Sequence, residues 1–279
     1  MKIDLSISPC PNDTFIFDAL IHKKIDTCGL DFEVKYADVE ALNKWAMDGT
    51  AMLTKLSYHA YAHVAENYIL LDSGSALGYG NGPLLISKPD KSLRDISKYK
   101  VLIPGKFTTA NLLLEILAPD VKTKEACIFS EIENSIIADK ADAGLIIHEN
   151  RFTYQEKGLK KLIDLGEEWE KQTRMAIPLG GIVINRNIPN EIQITLNKLM
   201  YESVQFALDH PDSSFEFVKQ YAQEMDKNVM YKHIDLYVNN FTLNLGETGK
   251  KSISTLYKKA ESLNIIPKIT KNIFLSQKT

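Results

Sequence analysis

Short strand-like runs that alternate with helix-like segments limit the folds open to this chain more than any other feature. Strands are predicted at "KIDLSIS" (2–8), "DFEVKYAD" (31–38), "AMLTKLS" (51–57) and, around a glycine-rich turn, at "YILLDSGSALG" and "GPLLISK". Helices are predicted after the first strand, where Asp13 is placed to cap, and at "VEALNKWAMDG" (39–49) and "YHAYAHVAEN" (58–67). This order predicts an α/β protein with largely parallel strand pairing.

A second unit repeats the same rhythm. Its predicted strands are "KVLIPG", "EACIFS" and "AGLIIHEN", and its predicted helices are "TTANLLLEILAP" and "EIENSIIADKAD". The segment "MAIPLGGIVINR" (175–186) then returns as a strand with two glycines in its middle, and the chain from Asn190 onward is nearly all helix-like. We therefore predict a discontinuous α/β domain (1–88 and 177–279) with C-terminal helices, and a second α/β domain (89–176) inserted into it. Two crossings of the chain make a hinge, and a cleft between such domains is a natural site for a small molecule.

Composition argues against several classes of function. The 279 residues are 44% apolar and 25% charged with a net charge of −3, so there is no basic footprint for nucleic acid. No segment approaches the roughly 20 apolar residues of a membrane span, and the polar residues of "MKIDLSISPCPNDT" do not fit a signal peptide. Three cysteines (Cys10, Cys28 and Cys127) form no C-x-x-C pair, as is typical of a reducing compartment. We therefore predict a cytoplasmic protein that has neither nucleic acid nor membrane as a partner, and both monomer and homodimer stay open.

Polar loops follow four of the predicted strands. They are "SPCPND", which contains Asn12, "TKLSYH", which contains Lys55, Leu56 and Ser57, "PGKFTTAN" and "HEN". Ligands of open α/β sheets gather at the carboxyl ends of strands, so these loops are expected to meet at one site. One such loop alone would mean little, because most loops lie on the surface and are polar.

The loop "PGKFTTAN" (104–111) carries the clearest sign of an anion site. Gly105 allows a tight turn, and Thr108, Thr109 and Ala110 open the next helix with free backbone N–H groups and hydroxyls. These donors suit a carboxylate or a phosphate. Plain capping of the helix by a threonine is the alternative, and the loop is not a P-loop because G-x-x-x-x-G-K-S/T is absent.

The segment "DKADAGLIIHEN" (139–150) places a histidine at the end of an apolar run. The five residues from Ala143 to Ile147 predict a strand buried on both faces, and this strand stops at His148. One interpretation is a structural histidine that bonds to a neighbouring carbonyl group. The other is a general base at the mouth of a ligand cleft, because imidazole is the side chain that titrates near neutral pH.

Other patterns argue against a cofactor. His59 and His63 lie four residues apart on one predicted helix, but no H-E-x-x-H motif or third ligand accompanies them, so no metal site is predicted. Ser57 lacks the G-x-S-x-G motif of a serine nucleophile. The stretch "GYGNGP" (78–83) lacks the helix that a dinucleotide fingerprint requires and predicts a turn. No pattern marks a flavin, nicotinamide or pyridoxal phosphate site.

Six blocks of sequence together resemble the 1,4-dihydroxy-6-naphthoate synthase family of the futalosine route to menaquinone. They are "LSISPCPNDTFIFDAL", "TKLSYHAY", "GYGNGPLLISK", "PGKFTTANLLL", "DAGLIIHE" and "IPLGGIVINR", and their order and spacing are specific. The resemblance implies a periplasmic-binding-protein-like fold (type II), in which two α/β domains enclose a ligand cleft. It also implies a lyase that converts cyclic dehypoxanthine futalosine into 1,4-dihydroxy-6-naphthoate and a small sugar-derived fragment, without a metal or an organic cofactor.

The same resemblance assigns roles to residues. It implies that His148 is the general base and that Lys55-Leu56-Ser57 and Thr109-Ala110 contact a small-molecule carboxylate substrate. Thr108 and Asn12, from the polar loops, are added to the predicted substrate-binding set. A solute-binding protein of the same fold is the alternative from another class of protein. A chorismate dehydratase of the same pathway is the nearest enzymatic alternative, and the block that carries the histidine argues against it.

Overall fold

The computed structural model describes residues 1–148, 150–222 and 227–275. Within these ranges the strands are β1 (Lys2–Ile7), β2 (Asp31–Tyr36), β3 (Leu53–Ser57), β4 (Tyr68–Leu70), β5 (Ala76–Gly78), β6 (Leu84–Ser87), β7 (Lys100–Ile103), β8 (Thr123–Ala126), β9 (Ala143–Ile146), β10 (Lys160–Asp164) and β11 (Ile177–Asn185). The α-helices are α1 (Pro11–Ile21), α2 (Val39–Met47), α3 (Tyr58–Val64), α4 (Thr109–Leu117), α5 (Ile132–Ile137), α6 (Asn150–Thr153), α7 (Leu165–Thr173), α8 (Asn190–Asp209), α9 (Phe215–Tyr221), α10 (Lys227–Tyr237), α11 (Asn240–Leu243) and α12 (Gly246–Ser262).

Two sheets organise the chain, and we call each sheet with its helices a lobe. The first sheet has the order β2-β1-β3-β11-β4, and β5 pairs with the other end of β11; the second has the order β10-β6-β9-β7-β8. β1 is parallel to β2 and β3, and β7 is parallel to β8 and β9. Every pair made by β6 or β11 is antiparallel, so the prediction of largely parallel pairing is wrong for these strands. Both strands arrive from the other sheet, and the helical crossover that enforces parallel pairing within one sheet does not constrain them.

The chain passes between the sheets twice. It leaves the first sheet after β5, enters the second at β6, and returns through α7 to β11. The predicted strand "GPLLISK" therefore lies in the second sheet, paired with β9 and β10, although its position in the sequence had grouped it with the first unit. The pattern also did not predict β10 and α7. The domain bounds 1–88, 89–176 and 177–279 stay a prediction.

The two crossings lie side by side. The backbone N–H of Leu165 donates to the carbonyl of Pro83 at 3.0 Å. Next to this bond Gly82 packs on Gly166, so closely that a Cβ atom on either residue would strike the backbone of the other. Glycine is required at both positions because no side chain fits between the two crossings.

The helical C-terminal region packs on the first sheet. α1, which follows β1, contacts α8, α9 and α10. Leu5 of β1, Phe17 of α1 and Leu199 of α8 are buried in the apolar core that these elements share. The helix-like character predicted from Asn190 onward is confirmed for the described residues, and positions 223–226 lie outside them. In the described part of the chain, no helix combines the length and the apolar character needed to cross a membrane.

The return strand β11 is confirmed, and a glycine lets it approach β3. Gly180 pairs with Ser57, and a Cβ atom on Gly180 would lie 2.6 Å from the carbonyl oxygen of Leu56. The same Cβ position is 3.5 Å from Cε of Lys55, so the missing side chain also leaves room beside the lysine. Lys55 and Ser57 stand on one face of β3 because side chains two residues apart in a strand point the same way.

β9 is buried along its whole length, as predicted, and a glycine lets α5 pack against it. A Cβ atom on Gly144 would collide with the γ-methyl group of Ile132 and lie 3.0 Å from the δ-methyl group of Ile136. The strand that leads to His148 is therefore in close contact with a helix on one face.

We predict that Gly144→Ala lowers the free energy of unfolding by about 1–3 kcal/mol, because the added methyl group overpacks the contact with α5. Urea unfolding at equilibrium measures the change. The same substitution in an Ile132→Ala background is the control, since the colliding methyl group is then absent and the penalty should shrink. Equal penalties in both backgrounds would show that the contact with Ile132 is not the cause.

Candidate active site

One cleft brings together the side chains that the sequence singled out. It is lined by all of the predicted site residues, which are Asn12, Lys55, Leu56, Ser57, Thr108, Thr109, Ala110 and His148. The first lobe contributes the loop after β1 and the end of β3, and the second lobe contributes the loops after β7 and β9. The four polar loops therefore meet at one place, as expected for the carboxyl ends of strands.

His148 lies two residues beyond its strand rather than at the last strand position. β9 ends at Ile146, and the backbone of His148 has a left-handed φ of 58°. This conformation is uncommon for residues other than glycine, and here it turns the chain out of the sheet. The half-buried imidazole contacts the ring of Phe129, with centroids 5.0 Å apart, and its Nε2 lies 3.9 Å from Sγ of Cys10. Glu149 of the same motif lies outside the described residues.

A second histidine, which the sequence analysis missed, packs against the first. His233 of α10 is fully buried, and its ring stacks on that of His148 with centroids 5.9 Å apart and planes 13° apart. Nε2 of His233 lies 2.9 Å from the amide oxygen of Asn12, so this nitrogen carries the proton and donates. Burial, and then the charges of His148 and Lys55, hold the pKa of His233 well below its ordinary value. His233 is therefore neutral at pH 7.

The sequence does indicate that His233 is buried. Met230, His233, Ile234 and Tyr237 are the buried residues of α10 and are spaced as one helical face. A histidine on an apolar face is more often a core residue than a functional one. The spacing alone therefore gives no reason to place this residue beside His148.

A buried ion pair lies in the wall of the cleft. Nζ of Lys55 is 2.8 Å from Oδ1 of Asp13, and the two side chains are 9% and 1% exposed. Asp13 also accepts from the hydroxyl of Ser8 at 2.7 Å and from the amide of Asn12 at 2.8 Å. The prediction that Asp13 caps α1 is wrong, because its side chain turns back toward β1; the N-cap residue is Cys10. Lys55 and Asn12 line the cleft but also have these partners inside the protein.

Ser57 is held by a residue of α2. The backbone N–H of Ser57 donates to Oδ1 of Asn43 at 3.0 Å. Nδ2 of Asn43 donates both to the hydroxyl oxygen of Ser57 at 3.2 Å and to the carbonyl of Phe107 at 3.3 Å. Asn43 thus joins the end of β3 to the loop that leads into α4, and the hydroxyl hydrogen of Ser57 is left for a ligand.

The threonines at the start of α4 act differently from the prediction. The hydroxyl of Thr108, the N-cap residue, donates to the carbonyl of Gly105 at 2.9 Å, and the hydroxyl of Thr109 donates to the carbonyl of Leu179 at 2.5 Å. Because a hydroxyl has one hydrogen, neither threonine has a hydroxyl donor left for a ligand, and that part of the prediction is wrong. The backbone N–H groups of Thr109 and Ala110 belong to the first helical turn, where no intrahelical acceptor exists, so the position still suits an anion.

His59 supports the start of the same helix. Its Nδ1 donates to the carbonyl of Thr108 at 3.2 Å, and its backbone N–H donates to the hydroxyl of Thr109 at 3.3 Å. Burial, and then the neighbouring His63, lower the pKa of His59 to about 4. The rings of the two histidines are 5.4 Å apart, and no group of three or more potential metal ligands occurs among the described residues. A neutral imidazole thus positions the first turn of α4.

A cleft between two α/β sheets, lined by strand-end loops from both, defines a two-lobed small-molecule-binding protein. The fold is periplasmic-binding-protein-like. The alkanesulfonate-binding protein of Xanthomonas axonopodis matches with a TM-score of 0.72 and 11% identity, over 96% of this chain and 94% of that one. At this identity the likeness shows the fold alone.

Nearer relatives identify the family. A family model described as "Menaquinone biosynthesis" matches residues 3–262. A protein of Thermus thermophilus named 1,4-dihydroxy-6-naphthoate synthase is 38% identical over 271 residues, which are 97% of this chain and 98% of that protein. A crystal structure of a protein from Archaeoglobus fulgidus has a TM-score of 0.90 and 34% identity, over 95% of this chain and 98% of that one. The chain therefore belongs to this menaquinone-biosynthesis family.

We predict that Lys55→Met lowers the free energy of unfolding by about 3–5 kcal/mol, because it leaves the buried carboxylate of Asp13 without its cation. Lys35→Met is the matched control. Lys35 pairs with Asp4 at 3.5 Å, with side chains 52% and 36% exposed, and such a pair contributes at most about 1 kcal/mol. Denaturant unfolding measures both changes, and equal losses would contradict the importance of burial.

Acid should destabilise the protein partly through His59. Its pKa in the folded protein is about 4, so between pH 6.5 and 4 the unfolded chain binds a proton that the folded chain does not. The contribution is complete above pH 6.5, and the free energy of unfolding falls by up to about 3 kcal/mol as the pH drops toward 4. We expect the loss of stability between pH 7.5 and 4.5 to be smaller in the His59→Gln variant than in the wild type. The control variant His210→Gln, at an exposed position, should show the wild-type loss. An unchanged loss in the His59 variant would contradict this assignment.

Proposed function

We propose that the protein is a carbon–carbon lyase that makes 1,4-dihydroxy-6-naphthoate in menaquinone biosynthesis. The observation that carries the proposal is the half-buried imidazole of His148, which lines the same cleft as the start of α4. The family of the chain and the name of the Thermus relative support the same reaction.

The proposed substrate is cyclic dehypoxanthine futalosine, the compound that the sequence resemblance implies. Its carboxylate binds to the backbone N–H groups of Thr109 and Ala110, where the helix dipole favours negative charge. Ser57 supplies a hydroxyl and Lys55 a positive charge from the first lobe, and the aromatic ring packs on apolar lining residues such as Leu56. Each predicted contact thus has a chemical partner on a carboxylate-bearing aromatic ligand.

His148 is the proposed general base. A neutral imidazole accepts a proton from the bound substrate, the carbon–carbon bond to the sugar-derived part breaks, and the electron pair enters the new ring. Formation of the aromatic naphthalene favours this fragmentation, and the imidazolium then returns its proton to the ring oxygen that becomes a hydroxyl of the product. The stacked ring of His233 is neutral, so it adds no positive charge that would oppose protonation of the base.

A ligand-binding protein without turnover is the second candidate, because the protein shares its fold with a solute-binding protein. Such a protein would hold a small anion in the same cleft but would have no use for an imidazole there. The chorismate dehydratase activity considered from the sequence is the enzymatic alternative. We also predict a cytoplasmic location, a monomer or homodimer, turnover that needs no cofactor, and an inserted domain at 89–176.

Incubation of the purified protein with cyclic dehypoxanthine futalosine tests the proposal. We expect 1,4-dihydroxy-6-naphthoate to appear in amounts equal to the substrate consumed, with and without a chelator, as measured by liquid chromatography and mass spectrometry. Binding without product would favour the ligand-binding protein. Turnover of chorismate in its place would favour the dehydratase.

We predict that His148→Asn lowers kcat by about 100-fold or more, because asparagine cannot accept the proton. Asparagine tolerates the left-handed backbone of this position, so the fold and substrate binding should survive. Single-turnover rate and thermal midpoint are measured on the same preparation.

His63→Asn is the matched control for this variant. His63 is exposed on α3 and does not line the cleft, so its replacement should leave turnover unchanged. Near wild-type turnover in well-folded His148→Asn protein would mean that another group takes the proton. A loss of stability with turnover preserved would instead mark His148 as a structural histidine.

A further inference from the structure

Asn81 is a buried amide that lines the cleft. The residue is 1% exposed, and within the described part of the chain neither its amide nitrogen nor its amide oxygen has a hydrogen-bond partner. A buried polar group in this state typically destabilises a fold by about 1–3 kcal/mol. Native proteins keep few of them, and each requires an explanation. The turn "GYGNGP" that contains Asn81 has no role in the function proposed above.

The protein holds the segment around Asn81 in place. On one side the backbone N–H of Gly80 donates to the carboxylate of Glu170 at 2.7 Å. On the other side the guanidinium of Arg151, from the helix that follows His148, donates to the carbonyl of Gly82. Because both neighbours are bound, the amide of Asn81 is presented to the cleft from a fixed backbone.

The neighbouring amide of Asn239, unlike that of Asn81, forms hydrogen bonds within the described part of the protein. Nδ2 of Asn239 donates to the carbonyl of Leu77 at 3.0 Å, and its Oδ1 accepts from the N–H of Phe241 at 2.9 Å. Both amides lie against Gly78, since a Cβ atom there would be 2.8 Å from Nδ2 of Asn81 and 3.0 Å from Nδ2 of Asn239. Only the amide of Asn239 has its bonding groups satisfied within the protein.

The chemistry of an amide limits the group that Asn81 can bind. An amide offers N–H donors and a carbonyl acceptor, whereas a carboxylate accepts only and would face the carbonyl oxygen unfavourably. A hydroxyl both donates and accepts, so it can satisfy both halves of the amide. We propose that Asn81 binds a neutral, hydroxyl-bearing part of the cleft ligand while the start of α4 holds the carboxylate. The identity of that ligand rests on the function proposed above.

Replacement of Asn81 by leucine tests this role, because leucine has nearly the same shape and no polar atom. We expect Asn81→Leu to keep or raise the thermal midpoint, since a buried amide without a partner is removed. We expect kcat/KM for cyclic dehypoxanthine futalosine to fall at least about tenfold, mainly through KM. An unchanged kcat/KM would overturn the proposal, as would a lowered midpoint with unchanged KM, which marks a structural amide.

Asn239→Leu is the matched control. The same change at this position removes hydrogen bonds that the fold makes, so it should lower the thermal midpoint. Opposite effects of the two substitutions on stability are the expected pattern. A lowered midpoint of the same size in both variants would contradict the proposed difference between the two amides.

Equilibrium binding separates a failure of this inference from a failure of the proposed function. If the wild-type protein does not turn over the substrate, the proposed function is refuted, but the role of Asn81 can still be tested with two ligands. One is 1,4-dihydroxy-6-naphthoate. The other is 2-naphthoate, which has the same ring and carboxylate but no hydroxyls. In titration calorimetry we expect Asn81→Leu to weaken the binding of the dihydroxy ligand at least about tenfold and to leave the affinity for 2-naphthoate unchanged. Equal effects on the two ligands, no effect on either, or no binding of either to the wild type would overturn the inference.

Discussion

The geometry of the cleft depends on the buried contact between Lys55 and Asp13. The carboxylate joins the end of β3 to the loop after β1 and also receives the amide of Asn12. With its N–H₂ directed at Asp13, Asn12 can present only its oxygen to His233, and this choice fixes which ring nitrogen of His233 carries a proton. A buried ion pair is weak evidence for stability in itself. Here its main effect is to orient a chain of groups that ends at the ring stacked on His148.

Two buried histidines serve the cleft in the same way, each as a neutral donor. His59 donates to the carbonyl of Thr108 and so holds the start of α4, and His233 donates to Asn12 and packs on His148. Burial lowers the pKa of both rings, which keeps additional positive charge away from the site. The half-buried His148 thus stacks on a neutral ring that does not compete with it for protons.

The position of the cleft could be predicted from the sequence because two local rules suffice for it. Apolar runs mark the buried strands, and the polar residues that end them, from Lys55 to His148, must meet where the strands end. The supporting residues could not be predicted in this way. His233 reaches Asn12 from the far end of the chain, and Asn81 is distinguished only by partners that it lacks. Both facts depend on tertiary contacts that no local pattern contains.

The same limit explains the other differences between sequence and structure. The pattern of β6 shows a strand, but its hydrogen-bonding partners, β9 and β10, lie in the second sheet. The hydroxyls of Thr108 and Thr109 are available in the sequence, yet carbonyl groups of the fold accept their hydrogens. A strand-end residue can thus be placed at a site from its sequence, while the direction of its bonds follows from the packing around it.

The side-by-side crossings restrict how the lobes can move relative to each other. A single connecting segment allows both bending and torsion, but the bond between Leu165 and Pro83 and the packing of Gly82 on Gly166 join two segments into one ribbon. A ribbon bends across its flat face and resists rotation about its long axis. Such a connection favours opening of the lobes about an axis across the two crossings. It opposes sliding of one lobe past the other. Ser57 and the first turn of α4, which lie on different lobes, are in addition joined directly, through the side chain of Asn43 and the bond between Thr109 and Leu179.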